Sequence, residues 1–306
     1  MLNNKYILNW VLLITLVIIW GASFVAIKVA ITDIGPAWVA AFRLAIATFL
    51  MIIFAKATHI RAPKGKTEWG IALVFGIIGT ALPFALISWA SQYVPSGIAG
   101  LMMATNPMLV LILAIVILPE EPPTPTRILG LIIGFIGVTL VITGKTPQLE
   151  TLSSSNDFDF SLLAYIALLL GALGYAINTV ISRRVTHMPH ATRGYGALLT
   201  ATPAAILLAS LTEQFPQITT LQMPSIIAIL YLAILPTWIA TLLLYRLIAQ
   251  SSAGFVAQSN YLVPAAAILF GAILLSEVLT IQQYLGFGTI LLGIAIAEKI
   301  LMQKKH

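Results

Sequence analysis

The stretch GTALPFALISWASQYVPSGIAGLMMATNPMLVLILAIVILPEEPPTPTRILGLIIGFIGVTL, residues 79–140, decides the fold, because it returns as PTWIATLLLYRLIAQSSAGFVAQSNYLVPAAAILFGAILLSEVLTIQQYLGFGTILLGIAI at residues 236–296. With an offset of 157, Thr80 falls on Thr237, Gly97 on Gly254 and Pro107 on Pro264. With an offset of 156, Glu121 falls on Glu277, Thr124 on Thr280, Leu129 on Leu285, Gly130 on Gly286 and Gly137 on Gly293. A single extra residue within Pro119-Glu120-Glu121 absorbs the difference. A fixed-period repeat governs how a whole chain is read. Two apolar runs matched by chance would not also align their sparse Pro and Glu residues, so the chain is read as a duplication.

Composition puts the duplication in a bilayer. Of 306 residues, 59% are hydrophobic and 8% charged, whereas a soluble domain carries roughly 25% charged residues. Too few charges remain to cover a water-facing surface. The net charge of +6 sits in short loops between apolar runs, which speaks against nucleic-acid binding. Without cysteine there is no disulfide framework or thiolate metal site. The run from Tyr6 to Ile31 is too long for a signal-peptide core and lacks a clear cleavage site, so it reads as a retained first span.

A span needs about 20 predominantly apolar residues. Ten stretches qualify, near Ile7–Ala30, Pro36–Ala55, Trp69–Gln92, Ser96–Leu118, Arg127–Thr143, Leu162–Ile181, Gly194–Leu211, Pro224–Ile248, Gly254–Leu275 and Gln282–Leu301. Lys and Arg in short loops set orientation. With the N-terminus inside, the inner segments hold Lys5, Lys56, Arg61, Lys64, Lys66, Arg127, Arg183, Arg184, Arg193, Arg246, Lys299, Lys304 and Lys305, and the outer ones only Lys145. Both termini are expected in the cytoplasm, in an inner membrane. The polar stretch 144–160 links a first repeat, 1–143, to a second, 161–306. Five is odd, so the second repeat crosses in the opposite sense. The predicted fold is an all-α integral membrane protein, ten transmembrane helices as two inverted-topology repeats of five, the arrangement of alternating-access carriers with a site near the midplane.

The pattern resembles the EamA-type transporters of the drug/metabolite transporter superfamily. The resemblance is carried by Trp20-Gly21-Ala22-Ser23-Phe24, by Pro36 with Arg43, and by Glu277-Val278-Leu279-Thr280 followed by Gly286 and Gly293. Glu121-Pro122-Pro123-Thr124 with Gly130 and Gly137 echoes it in the first half. The resemblance covers essentially the whole chain. It implies a helical basket open to one side at a time, carrying amino acids or other small metabolites, often outward. The halves differ: Pro189 answers Pro36, but Gly196 stands where Arg43 would repeat, and Lys28 has no counterpart unless Arg183 or Arg184 serves with a small shift.

Arg43 is the one charge clearly inside a span. A central Arg costs roughly 2.5–3.5 kcal/mol on insertion scales, so it should face a wet cavity or a partner. It is seven residues from the outer span end, about 10 Å at 1.5 Å per residue, so the alternative is snorkelling to the interface. Glu121 and Glu277 stand at span ends, either gating or capping the helices that follow, which Thr124 and Thr280 also suit as starts. Pro83, Pro107, Pro236 and Pro264 each remove a hydrogen bond from a span and predict hinges or kinks, tolerated where protein or a wet cavity satisfies the freed carbonyl. Asn106, Asn260 and Tyr261 flank two of them. Trp20, Trp89, Tyr175, Asn178, Trp238 and Tyr245 are read either as cavity wall or as packing and interface belt; depth favours the cavity for Trp20, Tyr175 and Trp238.

The expected substrate site is Trp20, Ser23, Arg43, Asn106, Tyr175, Asn178, Trp238, Asn260 and Tyr261, with Arg43 facing a carboxylate. Thr80 and Ser88 could add hydroxyls. Glycines 130, 134 and 137 and glycines 286, 288 and 293 give the fifth and tenth spans small faces for scaffold or dimer contact, so the protein is expected as a monomer or a homodimer through these helices. No cofactor is expected. The histidines lie in loops or at the tail without a ligand set, and no phosphate-binding loop is present. Membrane lipid and a small-molecule substrate are the expected partners. No carboxylate stands clearly at the midplane, which favours facilitated transport or exchange over proton coupling. The alternative, a membrane-embedded enzyme acting on a lipid or small substrate, would need clustered His, Asp or Glu at one face.

Overall fold

A computed structural model describes residues 4–117, 124–144, 157–185, 187–251 and 253–303. The chain is all helical there. The ten elements are α1 (Asn4–Ala30), α2 (Pro36–Ala57), α3 (Gly65–Ala90), α4 (Ser96–Ile117), α5 (Pro125–Thr143), α6 (Asp157–Arg184), α7 (His190–Thr212), α8 (Met223–Leu232 continued by Ala233–Ile239 and Ala240–Gln250), α9 (Ala253–Ala257 and Ser259–Leu275) and α10 (Ile281–Gln303). Nine helices among the described residues are long and apolar enough to cross a membrane, and Ile281–Ala297 is a shorter apolar tenth. The fold is thus an all-α integral membrane protein of two inverted five-helix repeats. Helix α6 starts at Asp157, inside the stretch expected as linker. The apolar run needs no boundary at Leu162, and acidic residues suit a first turn.

The repeats interleave. Helix α1 lies against α8 and α9, α2 against α7 and α8, α3 against α6 and α7, and α4 against α9 with its first half and α6 with its second. Glycine decides the closest approaches. A Cβ on Gly21 would lie 2.5 Å from Ala266 Cβ, and one on Gly100 2.2 Å from Ala267 Cβ. Helices α5 and α10 pack on each other through their small faces. A Cβ on Gly130 would meet Gly293 O at 2.4 Å, and one on Gly137 would meet Gly286 O at 2.7 Å. Those faces are occupied within one chain, so a homodimer through these helices would have to use their outer rows. On α5 that row is Ile128, Ile132, Phe135 and Ile136, all exposed, and helical periodicity puts them opposite the glycines. In a bilayer they meet lipid.

The spans depart from the α form near these prolines, by two devices. Residues Val74–Ala81 of α3 and Ala233–Ile239 of α8 are π-helical, a form that appears mostly as single-turn bulges at functional sites. Pro236 cannot donate to Leu232 O, and the Thr237 hydroxyl takes that carbonyl at 2.7 Å. Its repeat mate Thr80 bonds Phe75 O at 2.9 Å, the same five-residue step back. Helix α4 narrows to a 3-10 turn at Met103–Thr105, ahead of Pro107, and α9 breaks at Gln258, ahead of Pro264. The two breaks fall at nearly matching places in the repeats.

Candidate functional site

The two π segments and the two breaks open the helix ladders in the interior, and the polar side chains expected in the site gather beside them. Arg43 on α2 is 6% exposed, so it turns inward rather than snorkelling. Its Nε donates to Thr237 Oγ1 at 2.6 Å. Its guanidinium carbon lies 3.7 Å from the Phe84 ring centroid, cation–π geometry. The phenols of Tyr175 on α6 and Tyr231 on α8 lie in its electrostatic reach. Trp20 Nε1 donates to Pro236 O at 3.2 Å and Tyr231 Oη to Ile19 O at 2.9 Å. Five helices from both repeats therefore meet around one cation. Trp238, next to Thr237, meets Phe54 edge-on with centroids 6.3 Å apart.

Two polar atoms here have no protein partner. Trp238 Nε1 and Asn106 Oδ1 are buried and unbonded. Buried polar groups ordinarily find a partner, and exceptions are common at functional sites. Asn106 begins the second half of α4, and Asn260 stands just past the break of α9. Asn178 packs on the π segment of α3, where a Cβ on Gly79 would lie 2.8 Å from its Cγ. One expected member, Ser23, and two residues of the aromatic group, Trp89 and Tyr245, point to other work. Ser23 returns its hydroxyl to Trp20 O at 2.5 Å, within its own helix. Trp89 meets Tyr93 at a tilt with centroids 5.1 Å apart, and Tyr93 stacks on Phe160 near the start of α6, an interface arrangement. Tyr245 sits beside His190 at the start of α7. Tyr261 is packed against the interior cluster.

The face away from the chain ends is fastened by carboxylates that each repeat lends to the other. Glu277 does not cap its own following helix. It accepts from Ser96 N at 2.7 Å, Ser96 Oγ at 2.8 Å and Gly97 N at 2.8 Å, at the start of α4 in the other repeat. Gly271 gives it room, since a Cβ there would lie 2.4 Å from Glu277 Oε2. The start of α10 is served instead by Thr280 and Gln283, which exchange side-chain bonds with each other's backbone N–H at 3.3 and 2.9 Å, a capping box. Thr124 accepts from Arg127 N at 3.3 Å in the same role on α5. Glu213 accepts from Ala37 N and Trp38 N at the start of α2. Asp33 accepts from Ser225 Oγ at 2.7 Å and Gln222 N at 3.0 Å at the start of α8. The Ser225 hydroxyl, then the Gln222 N–H, hold the Asp33 carboxyl below the usual range. Lys28 donates to Ser91 O and Val94 O in the α3–α4 turn, with Glu277 in its field. Arg184, near Lys28's place in the second repeat, donates to Ile117 O on α4. Glu121 lies outside the described residues.

Sequence reasoning missed Phe84, Tyr231, Asp33 and Glu213. The Thr80 and Thr237 match was a signal for the π segments; nothing in spacing marks a loop carboxylate as a cap for a distant helix. No group of three His, Cys, Asp or Glu that could hold a metal occurs among the described residues.

The comparisons agree with this architecture. The chain matches the EamA-like transporter family over residues 8–143 and 162–298. It is 27% identical over 301 residues to an uncharacterized transporter of Archaeoglobus fulgidus, covering 95% of this chain and 99% of that one. It is 25% identical over 297 residues to a probable amino-acid metabolite efflux pump of Escherichia coli (strain K12), covering 94% and 93%. A crystal structure at 18% identity superposes with a TM-score of 0.66 over 97% of this chain and 98% of the other, which shows the fold. With its repeats matched in turn, this chain belongs to the EamA-like transporter family and is a multi-pass membrane transporter.

Proposed function

We propose that the protein is a secondary carrier of small organic metabolites, amino acids or related compounds foremost, working by alternating access between the repeats. The observation that carries this reading is the Arg43–Thr237 centre, built from both repeats beneath a face that Asp33, Glu213 and Glu277 fasten. A relative motion of the repeats would open that face and rearrange the centre together. The name of the Escherichia coli relative supports export of amino-acid metabolites. The loop charges support a reading in which both termini lie in the cytoplasm of an inner-membrane protein. The fastened face is then the outer one, and the two repeats, 1–143 and 161–306, are the moving units. An enzymatic role is disfavoured, since the carboxylates placed at the outer face serve as helix caps. With no carboxylate at the centre among the described residues, facilitated transport or exchange is favoured over proton coupling.

The test is counterflow in vesicles, preceded by thermal stabilisation of the purified protein by amino acids, amines, nucleosides and sugars. An apolar or aromatic amino acid should stabilise it and exchange across the membrane, and Trp238→Ala should weaken both. Saturable binding without exchange from either side would sink the carrier reading.

A further inference from the structure

Lys28 and Arg43 stand inside the first two spans, and their surroundings differ in kind. Lys28 has the carbonyls of Ser91 and Val94 and the carboxylate of Glu277. Arg43 has a hydroxyl, an aromatic face and two phenols, all neutral. The four carboxylates whose side chains are described are committed elsewhere. Asp33 takes Gln222 and Ser225, Glu68 pairs with Arg61 at 2.6 Å, Glu213 takes Ala37 and Trp38, and Glu277 takes Ser96 and Gly97. The other six acidic residues, including Glu120, Glu121 and Glu298, stand near span ends in the sequence. Burying a charge without a counter-charge costs several kcal/mol, and the finished fold leaves that imbalance at the centre.

Resting on the carrier reading, we infer that the cargo is an organic carboxylate whose negative charge completes Arg43, and that an amine on the cargo contributes nothing to recognition. A planar guanidinium with Nε held by Thr237 keeps its terminal nitrogens for a carboxylate, which it can meet with two parallel bonds. A substrate ammonium would enter a region already carrying a positive charge, where the described neighbours of Arg43 are all neutral. The neighbours of Arg43 are aromatic: Phe84, Tyr175 and Tyr231. The site therefore suits apolar 2-oxo acids and amino acids, the oxo acid at least as well as the amino acid, and rejects the matching amine.

The experiment compares three matched probes, phenylpyruvate, phenylalanine and phenethylamine, by calorimetric binding to the detergent-purified full chain. The expected order is phenylpyruvate at or above phenylalanine, with phenethylamine at least ~100-fold weaker, as like-charge juxtaposition predicts. Arg43→Gln should remove the gap between acid and amine, while Arg43→Lys keeps part of it. The probe order is read on the unaltered chain, so it decides the matter even where Arg43→Gln fails to fold. Equal binding of the amine, unchanged acid binding in a folded Arg43→Gln, or no binding of either acid overturns the inference. Should a neutral sugar or nucleoside exchange across vesicles while the acids do not bind, the carrier reading stands and the carboxylate cargo falls.

Discussion

Thr237 Oγ1 accepts the otherwise stranded Arg43 Nε–H at 2.6 Å and donates to Leu232 O at 2.7 Å, a carbonyl that the π pattern also pairs with the Thr237 N–H. Thr237→Val keeps the shape and strands the Arg43 Nε–H. Unsatisfied buried groups cost ~1–3 kcal/mol each, more when charged, so the detergent thermal midpoint should fall well below the parent's. Thr80→Val, whose hydroxyl serves only Phe75 O, should cost no more than ~1.5 kcal/mol. A similar loss in both variants would show that the Arg43 bond carries no weight. Sequence could show that Arg43 was costly and Thr237 repeated. It could not pair them, since 194 residues separate them and helical period fixes a side chain's direction about its own axis only.

The ten helices were legible because a span is set by length and apolarity alone, and four prolines marked where ladders would open. The form of the opening was not: α3 and α8 widen into π turns, whereas α4 narrows and α9 breaks. A missing N–H allows any of these, and the neighbours choose. The glycines of α5 and α10 show the same limit, since a small face can meet its own chain or another copy. A Cβ on Gly137 would meet backbone atoms of Gly286 and Ile290 at 2.7 Å, whereas one on Gly288 meets nothing within 4 Å. Gly137→Leu is therefore expected to destabilise by ~1–3 kcal/mol or more, and Gly288→Leu to stay within ~0.5 kcal/mol. Equal unfolding midpoints for the two variants would contradict the α5–α10 packing.

Across the molecule, the three borrowed carboxylates are expected to set how readily the fastened face opens. Gln in place of Glu277 keeps one acceptor and replaces the other with a donor that faces the α4 amides. Since the chain has no cysteine, spin labels can be placed at Gln92→Cys and Gln214→Cys, exposed positions on that face in different repeats. The parent should give one short distance. Glu277→Gln should add a longer population, raising the open fraction roughly tenfold, within the range of ordinary conformational coupling. An unchanged distribution in Glu277→Gln and Glu213→Gln alike would show the caps to be passive. Inversion of the repeats was readable from an odd span number, but the fastening was not, because its donors are backbone amides that every helix start presents.

The Arg43–Thr237 bond also bears on how the protein is made. The guanidinium enters the membrane 194 residues before its acceptor exists, and at ~5–20 residues per second of synthesis that is a wait of roughly 10–40 s. Helices α8 and α9, which cover α1, arrive in the same late interval. During it, Arg43, about 10 Å from its helix end, can reach the interface as long basic side chains do. Snorkelling, which the finished fold abandons, is open to the nascent first half until α8 brings Thr237 to Arg43.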